Sequence, residues 1–378
     1  MRTRAESPAG PFEATSSGTL LDALHDPSVL ASLHESAWDR LLRVYRRNKL
    51  LPALAAAVEE AGLTAGIPEK AQEHLLAARR EAEQHARMIR WEVNRIRRAL
   101  RDVGVEIVLL KGAAYVLAGL PPGRGRLVQD LDVLVPKERL PEVERALLAA
   151  GWEWADDDSY DQHYYRAWMH ELPPLRHHLR DTVLDVHHTI LPETGRLRPD
   201  PRKLFGEARA IEEAGFKVLA PVDMVLHAAA HMLGDETLGG ALRDLIDLDA
   251  LLRHFAATEP GFWERLAPRA RELDLARPLF YALRSCRRLL GAEIPAAVDS
   301  ALDEVGKPPW PVAGVMDALV NRCLLARTSE RGGPDLTVAG WILYVRAHWL
   351  RMPTRLLVPH LIRKALRRVL REEDEPPR

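Results

Sequence analysis

The chain has 378 residues, and its 53 lysines and arginines nearly balance its 54 aspartates and glutamates, so the formal net charge is −1. This balance argues against a dedicated, strongly basic nucleic-acid binder, and the length is sufficient for two or three domains. With only two cysteines, Cys286 and Cys323, the chain cannot build a disulfide framework or a zinc site from cysteines alone.

Residues 1–19 are rich in Ser, Pro, Gly, Ala and Glu and lack the apolar segment of a signal peptide. No run approaches the roughly 18 consecutive apolar residues that a membrane-spanning helix requires. We therefore expect a disordered leader over residues 1–19, no transmembrane segment and a cytoplasmic protein.

Helical spacing dominates residues 20–103 and again residues 221–378. In the first region, the run from Lys70 to Asp102 places an apolar side chain every three or four residues, which is typical of an amphipathic helix. A final helix is expected from Val358 to Leu370, with an apolar stripe opposite a basic face. The same spacing predicts helices at Met224 to Leu233, Leu242 to His254, Leu273 to Leu290 and Val312 to Leu325. Helical domains are thus expected on both sides of residues 104–220.

The middle region, residues 104–220, contains short apolar or alternating runs that are typical of strands. A helix from Leu140 to Ala150 interrupts them. The predicted strands are Val105 to Leu110, Val128 to Val135, Trp152 to Ala155, a pair formed by His177 to Arg180 and Thr182 to Ile190, and Lys217 to Ala220. This order indicates a small α/β or α+β core. We expect an α+β fold in which a small mixed-sheet core is flanked by N-terminal and C-terminal helical domains.

The strongest chemical feature is the pair Asp130 and Asp132 on the predicted strand Val128 to Val135. Alternate strand residues share a face and lie roughly 6.5–7 Å apart at their Cα atoms. Two carboxylates about 5 Å apart repel by roughly 3 kcal/mol at an effective dielectric constant of about 20. A divalent cation such as Mg²⁺ or Mn²⁺ would offset this repulsion. The other interpretation is a pair of solvent-facing aspartates on a half-exposed strand.

A possible phosphate-binding turn precedes this pair. The strand ending at Leu110 leads through Lys111 and Gly112 into a predicted helix, where glycine admits a close ligand and free backbone N–H groups favour an anion. Lys111 adds a point charge suited to phosphate. Arg126, in the following loop, is either a further cation for the ligand or a solvated loop residue. Asp185, on the later strand, completes three carboxylates if the two strands are neighbours.

The order of these motifs resembles the uncharacterised nucleotidyltransferase family of the polymerase-β-like superfamily. The resemblance rests on Lys111–Gly112, on the DLDVLV run from Asp130 and on the LDVH run around Asp185, and it spans roughly Leu41 to Leu252. It implies a metal-dependent transfer of a nucleoside monophosphate from an NTP to an acceptor, which is a small molecule, a protein or an RNA.

The resemblance also implies roles for individual residues. Asp130 and Asp132 would bind two Mg²⁺ or Mn²⁺ ions, and Asp185 would be the third carboxylate. Lys111, Gly112 and Arg126 are the candidate nucleotide-binding residues. His187 shares the strand face of Asp185 and is a candidate for orienting a metal-bound water or the substrate.

Two alternatives stay open. Many superfamily members have serine after the glycine of the turn, whereas this chain has Ala113, which favours an inactive nucleotide- or partner-binding module of the same fold. A metal-dependent phosphohydrolase built on His227, His231 and Asp244 is the other alternative, because the two histidines lie one helical turn apart.

The proposed metal role of Asp132 has a consequence for stability. Without a metal the three carboxylates repel one another, so Asp132→Asn is expected to leave the metal-free protein as stable or more stable. The same substitution is expected to reduce the stability that Mg²⁺ and NTP add.

Overall fold

The computed structural model describes residues 21, 23–24, 26–155, 159–211, 215–234, 240–328 and 338–358. The predicted leader over residues 1–19 and nearly all of the predicted helix from Val358 to Leu370 lie outside these described residues.

A seven-stranded mixed sheet forms the centre of the molecule. Its strands are β1 (Val108–Leu109), β2 (Asp130–Leu134), β3 (Trp152–Trp154), β4 (Leu175–His177), β5 (Val183–His187), β6 (Arg209–Ile211) and β7 (Phe216–Val218). Their order is β3-β4-β5-β2-β1-β7-β6. The pairs β2–β5 and β1–β7 are parallel and the other neighbouring pairs are antiparallel.

Strand β2 lies in the middle of the sheet because its sequence suits burial on both faces. Leu131, Val133 and Leu134 are almost completely buried, and β-branched and aliphatic residues are favoured in such strands. Pro136 follows the strand and cannot donate a hydrogen bond to a ladder. Asp130 and Asp132 are therefore polar residues on one of the best-packed strands of the protein.

Helices come before, between and after the strands in the sequence. The helices of the first half are α1 (Glu35–Arg47), α2 (Leu51–Glu60), α3 (Glu69–Ala99), α4 (Lys111–Leu117), α5 (Leu140–Ala149), α6 (Ser159–Trp168) and α7 (Pro201–Glu207). Those of the second half are α8 (Pro221–Gly234), α9 (Ala241–Thr258), α10 (Phe262–Glu272), α11 (Ala276–Leu290), α12 (Ala296–Val305), α13 (Val312–Ala326) and α14 (Val338–Arg351). None of the described helices is long and apolar enough to cross a membrane.

A continuous hydrophobic core joins these elements. Helix α3 buries an apolar stripe that includes Leu75, Ile89, Val93 and Ile96, and it packs against α2 and α4. Helices α8 and α9 pack against each other, and α8 also packs against α11. The mixed sheet with flanking helices confirms the predicted α+β fold. The domain boundaries at residues 103 and 220 stay predictions.

The helix predicted from Leu273 to Leu290 is shorter than expected. Helix α10 ends at Glu272, and α11 starts only at Ala276. Asp274 between them has a left-handed backbone with φ of +57°, which interrupts helical geometry. The apolar spacing continues across the break because Leu273 and Leu275 are both buried. Periodicity alone therefore does not reveal the junction.

Candidate functional site

The register of β2 and β5 brings the predicted carboxylates to one face of the sheet. Asp132 lies directly opposite Asp185 in this parallel pair, and Asp130 precedes Asp132 by two residues on the same face. Asp130 is exposed, Asp132 is almost fully buried and Asp185 is half-buried. Their oxygen atoms do not all approach within 4.8 Å of one another, so they line an open face and not a closed cage.

A cavity of about 310 Å³ opens above Asp130 and Asp132. Three parts of the chain line it: the end of α1 with the following turn, the segment from Lys111 to Asp132, and the region where α8 meets α9. Its basic side chains are Arg47, Lys49, Lys111, Arg126 and Arg243. Asp185 lies one strand away from the cavity wall and is not among the lining residues. The cavity thus combines carboxylates on its floor with cationic groups around them.

Asp132 is held between the Lys111 ammonium group and the His187 imidazole. Its Oδ1 atom accepts a hydrogen bond from Lys111 Nζ at 2.9 Å and lies 2.9 Å from His187 Nε2. Burial alone would raise the pKa of Asp132, but Lys111 and His187 hold it well below its ordinary value. Burial likewise opposes the charge on Lys111, yet Asp132 raises the pKa of that ammonium group. Asp132 is therefore ionised and already neutralised by the chain itself.

Because of these contacts, we expect neutralisation of Asp185, and not of Asp132, to stabilise the metal-free protein. Asp132→Asn would remove the partner of the Lys111 ammonium group, so the metal-free protein should lose stability and not gain it. Asp185 forms no ion pair with any residue that the structure describes, and its Oδ1 atom is buried without a hydrogen bond. Burial, followed by the charges of Glu171 and Asp132, raises the pKa of Asp185 to about 7. The charge of His187 opposes this rise in pKa but does not outweigh burial and the two carboxylates.

A divalent cation fits this carboxylate face. All three side chains offer hard oxygen donors, which Mg²⁺ and Mn²⁺ prefer. The unpartnered Oδ1 of Asp185 is the kind of atom that a cation would satisfy. Partial burial and the charge of Asp132 also raise the pKa of Asp130. A cation would relieve the repulsion at both Asp130 and Asp185.

The turn at Lys111 and Gly112 differs from an open phosphate cradle. Lys111 has a left-handed backbone with φ of +44°, and its ammonium group points to Asp132. A Cβ atom on Gly112 would lie 2.9 Å from Arg126 Nε and 3.1 Å from Val128 Cγ2. Close packing of Arg126 and Val128 therefore requires the glycine. Gly112 still borders the cavity, as predicted for a nucleotide-binding residue.

Arg126 already forms an ion pair within the protein. Its guanidinium forms an ion pair with Asp247 of α9 and lies over the ring of Tyr115, 5.5 Å from the ring centroid. Arg243 approaches the same carboxylate, with Nε 3.5 Å from Asp247 Oδ1. Arg126 borders the cavity but also fixes α9 to the core. Its predicted nucleotide-binding role stays a prediction.

The histidines of α8 are not grouped with Asp244 as a compact set of metal ligands in the part of the chain that the structure describes. His231 Nδ1 lies 3.1 Å from Asp244 Oδ2, and both residues line the cavity. His227 is buried, and burial lowers its pKa well below the ordinary value. Among the described residues, His227, His231 and Asp244 are not a set whose ligand atoms all lie within 4.8 Å of one another.

Two residues that sequence reasoning missed adjoin the site. Glu171 lies opposite His187 in an isolated antiparallel bridge, and its Oε2 atom is 3.2 Å from His187 Nδ1. His170 is its neighbour in the chain, and the ring centroids of His170 and His187 are 5.1 Å apart. The segment before Pro173 has neither a strand pattern nor a motif, so nothing in the sequence indicated that it lies beside β5.

Comparison with known proteins gives one match. The profile of a family described as uncharacterised nucleotidyltransferase matches residues 34–291, which is more than half of the chain. The matched region includes the whole sheet, the carboxylate face and the segments that line the cavity. No curated protein and no solved structure matches the chain.

Proposed function

The chain belongs to the uncharacterised nucleotidyltransferase family, and from this premise we propose that it transfers a nucleoside monophosphate from an NTP to a hydroxyl acceptor. The observation that supports the proposal most strongly is the register that aligns Asp132 with Asp185, next to Asp130, beneath a cation-rimmed cavity. Family membership alone indicates nucleotidyl transfer in general, without naming the donor, the metal or the acceptor.

Asp130, Asp132 and Asp185 would hold one or two Mg²⁺ ions. Bound there, the ions would neutralise phosphate charge and lower the pKa of the attacking hydroxyl. The chain contributes the position of these carboxylates, since β2 and β5 are rigid central strands of the sheet. Lys111 and His187 keep Asp132 ionised and fix its orientation. The reacting groups would therefore meet a site that is preorganised.

The basic side chains around the cavity would bind the triphosphate. Lys49 is exposed at the cavity rim, and Arg243 lines the wall near Asp244. Burial lowers the pKa of Arg243 to about 9, so it remains a cation at neutral pH. In the reaction, an acceptor oxygen forms a bond to the α-phosphorus while the bond from this phosphorus to the bridging oxygen of pyrophosphate breaks. The acceptor proton leaves to solvent or to a base, and pyrophosphate is released.

The alternative of an inactive binding module rested on Ala113. Ala113 is only 1% exposed and packs in the hydrophobic core, and it does not line the cavity. A serine hydroxyl at this position would point into that packing, so its absence says little about phosphate binding. Ala113 is therefore a weak argument against turnover in this chain.

The test uses NTPs that carry the label at either the α- or the γ-phosphate. Full-length protein, Mg²⁺ and fractions of cell extract are incubated with each NTP, and labelled products are separated. Nucleotidyl transfer predicts that the α-label moves to an acceptor and that the γ-label appears in pyrophosphate. Release of the γ-label as inorganic phosphate would instead support a phosphohydrolase. Saturable NTP binding without either product would support the inactive module.

A further inference from the structure

We propose that His170, Glu171 and His187 form a second metal site, suited to Zn²⁺ or a similar transition-metal ion, next to the carboxylate face. This proposal goes beyond nucleotidyl transfer, because it concerns a different set of ligands and a different class of metal. It rests on the positions of the ligand atoms, on the unsatisfied buried Nδ1 atom of His187 and on the chemistry of the donors.

The three side chains are close enough to share one ion. One ligand atom from each residue lies within 4.8 Å of the others. Glu171 Oε2 is 3.2 Å from His187 Nδ1 and 3.9 Å from His170 Nε2. Ligands on a tetrahedral Zn²⁺ ion at about 2.0–2.1 Å are separated by roughly 3.3 Å, so only small side-chain shifts are needed.

The backbone fixes this grouping. The segment from His170 to Leu172 runs antiparallel to β5, with Leu172 N donating to Val186 O and His188 N donating to His170 O, each at 2.9 Å. Glu171 and His187 face each other in this pairing, so they share one side of the sheet. The bridge to β5 therefore holds Glu171 opposite His187, and His170 is the residue next to Glu171.

Two nitrogen atoms at this site are buried without a hydrogen bond. They are Nδ1 of His187, which lies next to Glu171, and Nδ1 of His170, whose other nitrogen, Nε2, is the one that approaches Glu171. Only the unsatisfied Nδ1 of His187 therefore points to a bound ion at this position. The 3.2 Å approach of Glu171 to His187 Nδ1 does not have hydrogen-bond geometry. Buried polar atoms are rarely left unsatisfied, and a bound ion is one accepted explanation when they are. His187 itself is only 2% exposed.

The donors are two imidazoles and one carboxylate, which is a ligand set used by zinc enzymes with an open fourth position. Imidazole nitrogen favours transition metals, whereas the all-oxygen face of Asp130, Asp132 and Asp185 favours Mg²⁺. His170 also lines a small cavity of about 70 Å³ near Ile190 and Arg346.

A metal on His187 Nδ1 would leave the ring proton on Nε2. That proton would then be donated to Asp132 Oδ1, 2.9 Å away. Metal-bound histidines commonly donate their second nitrogen to a carboxylate, which fixes the tautomer and the ring orientation. The second site would thus hold Asp132 in position, with His187 acting as the link between the two sites.

The experiment titrates Co²⁺ into the full-length protein after chelator treatment and follows visible absorption. Four- or five-coordinate Co²⁺ with nitrogen ligands absorbs more intensely than octahedral Co²⁺ with oxygen ligands. We expect one equivalent of strongly absorbing Co²⁺, displaced by Zn²⁺ and not by Mg²⁺. His170→Gln and Glu171→Gln should each weaken Co²⁺ binding by about tenfold or more.

Two control variants test whether the Co²⁺ ion binds at His170, Glu171 and His187. His178→Gln changes an exposed histidine and should leave the titration unchanged. Asp130→Asn should also leave the intense band unchanged, because Asp130 belongs to the carboxylate face. Circular dichroism of His170→Gln shows whether it is folded, and Glu171→Gln provides a second test. Absence of the intense band in the wild type, or its survival in both folded variants, would overturn the proposal.

Discussion

At the scale of single residues, burial and the neighbouring carboxylates Glu171 and Asp132 disfavour the charged form of Asp185. Its pKa is raised from 3.8 to about 7, so between these pH values the folded protein binds a proton that the unfolded chain does not. The free energy of unfolding must then fall as the pH rises through this range. We expect Asp185→Asn to lack this fall, so the variant should gain stability relative to the wild type towards pH 8.

Urea unfolding of both proteins at pH 4.5 and pH 8, without divalent ions, measures this difference. Adding Mg²⁺ at pH 8 should stabilise the wild type and not the variant, because the ion would bind the ionised carboxylates. A difference between the two proteins that is the same at both pH values would show that Asp185 does not titrate in this way.

Asp132 is predicted to behave oppositely, although it belongs to the same face. Lys111 and His187 lower the pKa of Asp132 in the folded protein. The ionised carboxylate therefore stabilises the fold at pH values above its pKa in the unfolded chain. This stabilisation is lost as the pH falls towards the pKa of Asp132 in the folded protein. Asp132→Asn should cost about 3 kcal/mol of unfolding free energy at pH 7, since a buried ion pair loses one partner. Combining it with Lys111→Met should cost less than the sum of the single changes, by about 1 kcal/mol or more. Additive costs would contradict the pairing.

At the scale of secondary-structure elements, the junction of β1 and α4 depends on a glycine that leaves room for Arg126. Gly112→Ala would place a methyl group 2.9 Å from Arg126 Nε, and we expect a loss of about 1–3 kcal/mol. Gly206→Ala in α7 is a matched control, because its Cβ would meet no atom within 4 Å. Thermal unfolding should show a lowered midpoint only for Gly112→Ala. Equal midpoints would mean that the packing around Gly112 is not tight.

The sequence predicts the elements of the site better than their arrangement. Strands β2 and β5 are recognisable because apolar residues alternate with Asp130, Asp132 and Asp185, and α3 is recognisable from its long apolar stripe. The family resemblance, which the profile match confirms, supplied their expected order. Local patterns of this kind depend only on neighbouring residues, so one sequence is enough to detect them.

The remaining contacts depend on tertiary packing, which one sequence does not reveal. Nothing near Glu171 indicates that it faces His187, because a single bridge leaves no periodic pattern. The pairing of Arg126 with Asp247 joins a loop to a distant helix, and either residue alone resembles a solvated surface charge. The ion pair between Lys111 and Asp132 was missed for the same reason, and this pair is why we now expect Asp132→Asn to destabilise the metal-free protein.

At the scale of the whole molecule, the cavity is completed by segments distant in the sequence. The turn after α1 contributes Lys49, and the start of α9 contributes Arg243, whose guanidinium donates to the Lys49 carbonyl oxygen. A ligand that binds all sides of the cavity stabilises only the folded chain. Mg²⁺–NTP at 100 times its Kd should therefore add about 2.7 kcal/mol to the unfolding free energy.

Lys49→Ala should weaken this binding without changing the stability of the free protein, because Lys49 is exposed. Loss of one solvent-exposed phosphate contact corresponds to roughly 1 kcal/mol, or about a fivefold increase in Kd at low salt. The effect should shrink as the salt concentration rises. Isothermal titration measures Kd, and Lys70→Ala, an exposed lysine away from the cavity, is the control. Equal affinities for both variants would place the triphosphate elsewhere.

The most direct test of nucleotidyl transfer is the rate of pyrophosphate release by Asp130→Asn. Asp130 is exposed and makes no ion pair among the described residues, and partial burial and the charge of Asp132 raise its pKa, so the variant should melt at the wild-type temperature or above it. We predict that Mg²⁺-dependent pyrophosphate release with an acceptor fraction falls by about 100-fold or more. The matched variant Asp102→Asn, at another exposed aspartate, should keep the wild-type rate. A folded Asp130→Asn protein that releases pyrophosphate as fast as the wild type would contradict the account.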